Sequence, residues 1–311
     1  MDLWSDEVDE ILGGDLVVVL AYATPAAGAV LLPVNNYAVD RDRAAGTLNA
    51  VNSSVGARRK LERIGRDPQV ALAFHSRRHG LSRRPEYVLV QGVASLSAPI
   101  PDYPATIAER WERFEPWREA PTRWRRWQRE YATRVEIGID VERVVVWPDL
   151  ACKGEATTYG APLPAEPPAS QRPPANGTGP RLDPRRAARR AGALPHRLAG
   201  WIGADGFPVV VPVDVLGADG SGIRLRLPSG SAPPGARRAG LTAHEFSPSA
   251  VGQTQRKHTG WLEVDRDAGG IALYAPHTRR DYRLPASRTL YRLALGGVTR
   301  WEARSARRAS L

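Results

Sequence analysis

The grouping best suited to chemistry is Ser53-Ser54 followed by Arg58, Arg59 and Lys60. The three cations open a segment of helical spacing, residues 55–65 (VGARRKLERIG). Guanidinium and ammonium donors would therefore meet the positive end of a helix dipole, with two serine hydroxyls just upstream. That set suits a dianionic phosphate. Its plain alternative is a solvated basic helix face. Lys60 is the sharper candidate, because the 44 basic residues include only three lysines, Lys60, Lys153 and Lys257. His75 and His79 are four apart, a metal-binding spacing on a helix. Here His75 closes a strand-like run and His79 falls in an arginine-rich loop, so no metal is expected. His244 and His258 lie in strand-like runs and read as satisfied polar residues, with a cofactor contact as the other option. Cys152 beside Lys153 reads as structural rather than reactive. No Ser-His-Asp arrangement, P-loop or G-x-G-x-x-G turn is present.

The elements that must position these residues follow from composition and pattern. A chain of 311 residues is about two domains or one large one. With 42% hydrophobic residues it can bury real cores, which excludes wholesale disorder. No apolar run reaches membrane-helix length, and the longest (VVVLAYA, VVVPV) are strand-sized. A single cysteine excludes a disulfide scaffold and a multi-cysteine metal site. The start is acidic (MDLWSDEVDE), so no leader is expected and a cytoplasmic protein is. The net charge of +11 comes with a strong preference for arginine over lysine in a chain rich in Ala, Gly and Pro. General arginine bias explains this better than a nucleic-acid surface, which also wants aromatic platforms among the cations.

Residues 3–12 suit a short helix stopped by Gly13-Gly14. DLVVVLAYAT and AVLLPVNNYAVD read as a β-hairpin around TPAAG. Residues 46–51 fit a third strand; QVALAFHS, EYVLVQGVASLS and IGIDVERVVVW fit three more. Residues 104–132 read as helical, carrying Trp111, Trp117, Trp124 and Trp127 and packing on the strands. Residues 153–182 are rich in Pro, Ala and Gly and read as an extended, poorly ordered linker. Asn176-Gly177-Thr178 matches a glycosylation acceptor without any sign of secretion. A short basic helix and a second run of strands follow. The expected organisation is 1–152, a linker 153–182, and 183–311.

The two strand-rich parts match in order. Gly28 lines up with Gly206, Pro33 with Pro212, Arg58-Arg59-Lys60 with Arg237-Arg238, and Gly92 with Gly260. This predicts a duplicated domain.

The first part resembles the pyridoxamine 5′-phosphate oxidase-like family of flavin-binding split β-barrels. LAYATPAAGAVLLPV is similar to the family's opening hairpin, RRKLERIGRDPQVALAF to its basic helix, Asp-Pro turn and strand, EYVLVQGVASL to its glycine-bearing strand, and RVEIGIDVERVVVWPDL to its closing strand. The resemblance covers about residues 5–152, and more weakly 193–277. It implies a mainly β (α+β) fold of two tandem split β-barrels, with FMN, or F420 or haem in some branches, between paired barrels. In this chain the pair would form within one molecule, with a homodimer as a further option. It implies a small-molecule substrate and an oxidoreductase, or else a non-catalytic flavin- or haem-binding protein. It places the family's phosphate-binding lysine at Lys60, beside Arg58, Arg59, Ser53 and Ser54. Asn49 and Val51 would line the ring with backbone groups, and the Gln91 amide would reach the ring edge. Pro233-Pro234 argues against a matching helix in the second part, so its site is expected to be degenerate. The family oxidase's C-terminal substrate segment has no convincing match here.

Overall fold

The computed structural model describes residues 2–36, 40–109, 126, 129–248, 252–265 and 269–309. The predicted Trp-bearing stretch falls largely outside these residues. Its described ends are helical, α3 (Tyr103–Thr106) and α4 (Arg129–Ala132).

The first half opens with α1 (Asp6–Gly14), capped by the Ser5 side chain accepting from Val8 N. The hairpin β1 (Val17–Thr24) and β2 (Gly28–Asn35) follows, then β3 (Asp40–Asp42) and β4 (Thr47–Ser54). A single 3-10 turn (Val55–Ala57) leads into α2 (Arg58–Arg66). β5 (Gln69–Phe74), β6 (Tyr87–Leu96) and β7 (Arg134–Trp147) complete an antiparallel sheet ordered β2-β1-β5-β6-β7-β4-β3. β8 (Thr157–Gly160) adds to β7. The Pro-rich segment is thus not a free spacer. It supplies this strand and then hydrogen-bonds the second half, Gln171 N to Ala236 O and Arg181 N to Pro276 O.

The second half repeats the plan. α5 (Pro184–Gly192) starts on Asp183, whose carboxylate accepts from Arg185 N and Arg186 N. The sheet is ordered β10-β9-β13-β14-β15-β12-β11. Its strands are β9 (His196–Ile202), β10 (Pro208–Pro212), β11 (Asp214–Ala218), β12 (Ile223–Arg226), β13 (Gly235–Glu245), β14 (Thr254–Val264) and β15 (Ile271–Arg283). This order is the first order strand for strand. The C-terminal helix α6 (Arg288–Ala309) has no counterpart in the sequence reading.

Register makes the duplication residue by residue. Val19 pairs with both Pro33 and Ala73, and Leu198 with both Pro212 and Thr242, so Ala73 matches Thr242 and His75 matches His244. Val70 pairs with Gly92, and Ala239 with Gly260. The same bulge follows in both halves, at Gln91/Gly92 against β7 and at Thr259/Gly260 against β15. The bulge drives a neighbouring carbonyl onto the glycine, Asp140 O at Gly92 and Ala275 O at Gly260, where no Cβ fits. Two sequence matches need correction. Gly28 stands where Phe207 stands, so Gly206 falls one place before it in the hairpin turn. Arg237-Arg238 stand where Pro68-Gln69 stand, not at the helix of Lys60. The sequence placed them by their shared charge, whereas strand pairing decides.

The strand period of two sorts side chains between two cores. Val18, Leu20 and Tyr22 of β1, with Leu72 and Phe74 of β5, fill the first barrel. Val19, Ala21, Ala71 and Ala73 from the same strands pack against Leu198 and Val210 of the second half. Trp201, Ile223, Leu225, Leu241 and Tyr274 fill the second barrel. The architecture is two tandem split β-barrels packed face to face.

The contact is pseudo-symmetric. Tyr87 Oη donates to Val210 O (2.6 Å), and the matching Gln255 Nε2 donates to Pro33 O (3.0 Å). The hairpin-turn Gly28 lies against Arg238, and Gly206 against the matching Gln69. Near the pseudo-axis the equivalent His75 and His244 meet Nε2 to Nε2 at 2.8 Å. Ala73 O only accepts, so His75 Nδ1 donates to it, and a neutral His75 then accepts at Nε2 from His244. His196 adds a hydrogen bond with Ser76 Oγ (3.2 Å).

Candidate functional site

β4 runs on past the predicted third strand to Ser53 and Ser54, which pair with Val135 and Arg134 at the start of β7. The 3-10 turn then folds the chain so that α2 begins with no side-chain cap at its N-terminus. Lys60 sits in the first turn of α2, partly buried. Burial pushes its ammonium down to about pH 7, helped by the positive charges of Arg134 and then Lys257, and no carboxylate offsets them.

Arg134 is 8% exposed and its guanidinium lies over the Tyr131 ring at 3.9 Å. Its Nε is buried with no partner among the described residues, as is the Ser53 hydroxyl. Lys257 reaches in from β14 of the other half. Its Nζ donates to Gln255 Oε1 (3.0 Å) and stands 5.6 Å from the Tyr282 ring. Burial lowers its pKa to about 8, with Arg280 lowering and Asp281 raising it. Tyr131, under Arg134, and Tyr282, near Lys257, belong to one apolar cluster with Leu284 and Tyr291. The charges of Arg134 on β7 and of Lys257 on β14 of the other half thus both act on Lys60 of α2.

The other residues singled out from the sequence are placed as follows. Arg58 is exposed and pairs with Glu62 (2.7 Å) one turn on, and Arg59 is exposed. Asn49 lies in β4 beside Gly138 of β7, and Val51 pairs with Ile137. Gln91 is 1% exposed. Its Nε2 donates to Pro208 O (2.7 Å) and its Oε1 accepts from Arg143 Nε (2.6 Å). Arg143 in turn pairs with Asp205 in the opposite hairpin turn, so the Gln91 amide is spent on joining the halves. Cys152 is buried, which pushes its thiol pKa far up. Among the described residues no group of His, Cys, Asp and Glu could hold a metal ion, and no helix is long and apolar enough to cross a membrane.

Sequence reasoning missed Arg134 and Lys257. Lysine scarcity was the available signal for Lys257, since two of the three lysines meet here.

No protein-family model and no curated protein matches the chain. Solved structures do. A heme binding protein from Mycobacterium smegmatis aligns over 96% of this chain and 97% of its own, at 14% identity and a TM-score of 0.31. A pyridoxamine 5′-phosphate oxidase-related, FMN binding protein from Nostoc punctiforme aligns over 46% of this chain and 78% of its own, at 12% identity and a TM-score of 0.28. A Clostridium acetobutylicum protein related to general stress protein 26, of the pyridoxinephosphate oxidase family, aligns over 50% and 92%, at 10% identity and a TM-score of 0.33. The fold assignment rests on strand order and register. The fold is a tandem pair of split β-barrels.

The second half carries no equivalent of Ser53, Ser54, Lys60 or Arg134. Strand pairing matches Ser53 to Leu227, Ser54 to Pro228 and Arg134 to Gly269. A loop with no helix takes the place of α2, and Leu89 stands where Lys257 stands.

Proposed function

We propose that the chain is an FMN-dependent oxidoreductase of the pyridoxamine 5′-phosphate oxidase-like family, acting on a small-molecule substrate. One cofactor would bind between the two half-barrels of a single chain, residues 1–152 and 183–311. Lys60, Arg134 and Lys257 would hold its phosphate, with Ser53 and Ser54 close by. The observation that carries this reading is Lys60 in the first turn of α2, partly buried and under the charges of Arg134 from β7 and Lys257 from the other half, with no carboxylate acting on Lys60 itself. Such a cluster repels itself when empty, and a dianionic phosphate relieves all three charges at once. The unpartnered Arg134 Nε and Ser53 hydroxyl are donors of the kind a phosphate uses.

FMN, when bound, supplies hydride or electron transfer at its ring. The chain's own residues do the rest. Lys60 and Arg134 fix the phosphate end to the first half, and Lys257 ties it to the second. The Gln91–Arg143–Asp205 chain ties the first half to the hairpin turn of the second.

The test is the absorbance spectrum of the purified chain, alone and titrated with FMN, F420 and haem. FMN is expected to bind, and Lys60→Ala to weaken it about 10- to 100-fold, the range of one charge-assisted bond. A Soret band with no flavin bound, or no binding to any of the three, would overturn the reading.

A further inference from the structure

The second half buries a cation that neither the proposed cofactor site nor the contact between halves uses. Arg237 on β13 is 1% exposed. Its Nη2 donates to Pro234 O (2.6 Å), while Nε and Nη1 have no partner among the described residues. Burial alone lowers its pKa, and no charged group offsets it.

Alternation along β13 places Arg237 on the face of Ala239 and Leu241, which is the interior of the second barrel. Its cross-strand partner is the core residue Leu262. At the matching place in the first half stands Pro68, and α2 closes that barrel end with Ile64 and Leu61. The second half has no such helix. Residues 228–234 bridge the gap as a loop, in which Ser231 Oγ donates to Pro228 O (2.8 Å). Ser170 of the Pro-rich segment comes to the same place, accepting from Ala236 N (3.2 Å) and pressing on Gly235.

Arginine cannot shed its proton to escape burial. A guanidinium with two idle nitrogens away from water is costly, and a planar fork of donors is matched by an oxyanion. We propose that Arg237 anchors a second anion site, at the end of the second barrel beneath residues 228–234, with Ser170 on its rim. Its ligand class is a small oxyanion, phosphate or carboxylate. The site is independent of Lys60.

The experiment is thermal unfolding of the full chain in chloride buffer, with inorganic phosphate or acetate added. It compares Lys60→Ala/Lys257→Ala, which removes the first cation cluster, with the same chain also carrying Arg237→Met. At about tenfold excess of anion over its dissociation constant, the Arg237-bearing chain should gain roughly 2 °C, and the Arg237→Met chain nothing. A response to phosphate alone assigns a tetrahedral oxyanion, and a response to both assigns carboxylates as well. Equal shifts with and without Arg237, or no shift in either chain, would overturn the proposal. Because Arg237→Met could unfold the chain, Arg237→Lys is the second variant. It keeps the charge but loses the fork, and should retain a reduced shift. Loss of FMN binding in Lys60→Ala with this anion response intact would separate the two sites.

Discussion

The two half-barrels share their strand order, their hairpin glycines and even the bulge at Gly92 and Gly260, yet their cations differ completely. The first half keeps Ser53, Ser54, Lys60 and Arg134 together. The second has Leu227, Pro228, a loop and Gly269 at those places. The contribution across the contact is lopsided too, with Lys257 reaching toward the first half's site and Leu89 standing at the equivalent place. Backbone devices were retained in both copies because each is needed to close a barrel. The charged groups stand in one copy only, as the proposed single site between the halves requires. In the proposed site the second half would serve as the other wall and supply one lysine.

Lys257→Ala, although in the second half, should weaken FMN about 10- to 100-fold, whereas Lys153→Ala should leave it unchanged. Isothermal titration of both variants checks this. A wild-type effect from Lys257→Ala would return the second half to a purely structural role.

The bulge glycines should behave alike despite the asymmetry of charge. Gly92→Ala and Gly260→Ala each force a Cβ onto a carbonyl and should each cost about 1–3 kcal/mol in urea unfolding. A large cost in one half and none in the other would contradict the equivalence of the two bulges.

The histidines at the pseudo-axis give a pH signature. Burial lowers His75 to about 3 and His196 to about 4, and pushes His244 well below its ordinary value. In the unfolded chain they titrate near their ordinary value of about 6.5. Below that pH the unfolded state takes up protons that the folded state refuses. Stability is therefore full above about pH 6.5 and falls as pH drops, by up to about 1.4 kcal/mol per pH unit for each histidine. Denaturant midpoints between pH 4 and 8 should show this slope, and His75→Phe/His244→Phe should flatten it.

The smallest effect is expected at Arg58. Its exposed ion pair with Glu62 is worth about 0.3–0.5 kcal/mol. Arg58→Ala should shift stability by no more than that and leave FMN affinity within about twofold, on the argument that its charge is solvated and already paired. A loss as large as that of Lys60→Ala would restore Arg58 to the site.

Much of the scaffold was legible in the sequence. TPAAG marks the first hairpin because Gly28 takes a left-handed φ of 66° there, and Gly206 repeats it at 89°. The strand alternation separated the barrels from the Pro-rich segment, although it did not show Thr157–Gly160 joining β7. The helix α6 was missed because Gly296-Gly297 interrupts its apolar pattern. Lys60 stood out by rarity. Arg134 did not, since one arginine among so many carries no signal until pairing sets it opposite Ser54. Gln91 looked like a ring contact because its partners, Arg143 and Asp205, lie far along the chain. Only the packed halves show the amide already satisfied.

The central claim is that one anionic cofactor is held by cations from both halves of one chain. Its most direct test is a flavin-fluorescence titration of the full chain with FMN at pH 7 and at pH 9. The account predicts one equivalent bound per chain. It also predicts weaker binding at pH 9, where Lys60 and Lys257, with pKa values of about 7 and about 8, have lost their charge in the free protein. Two equivalents per chain, or an affinity indifferent to that pH change, would contradict it.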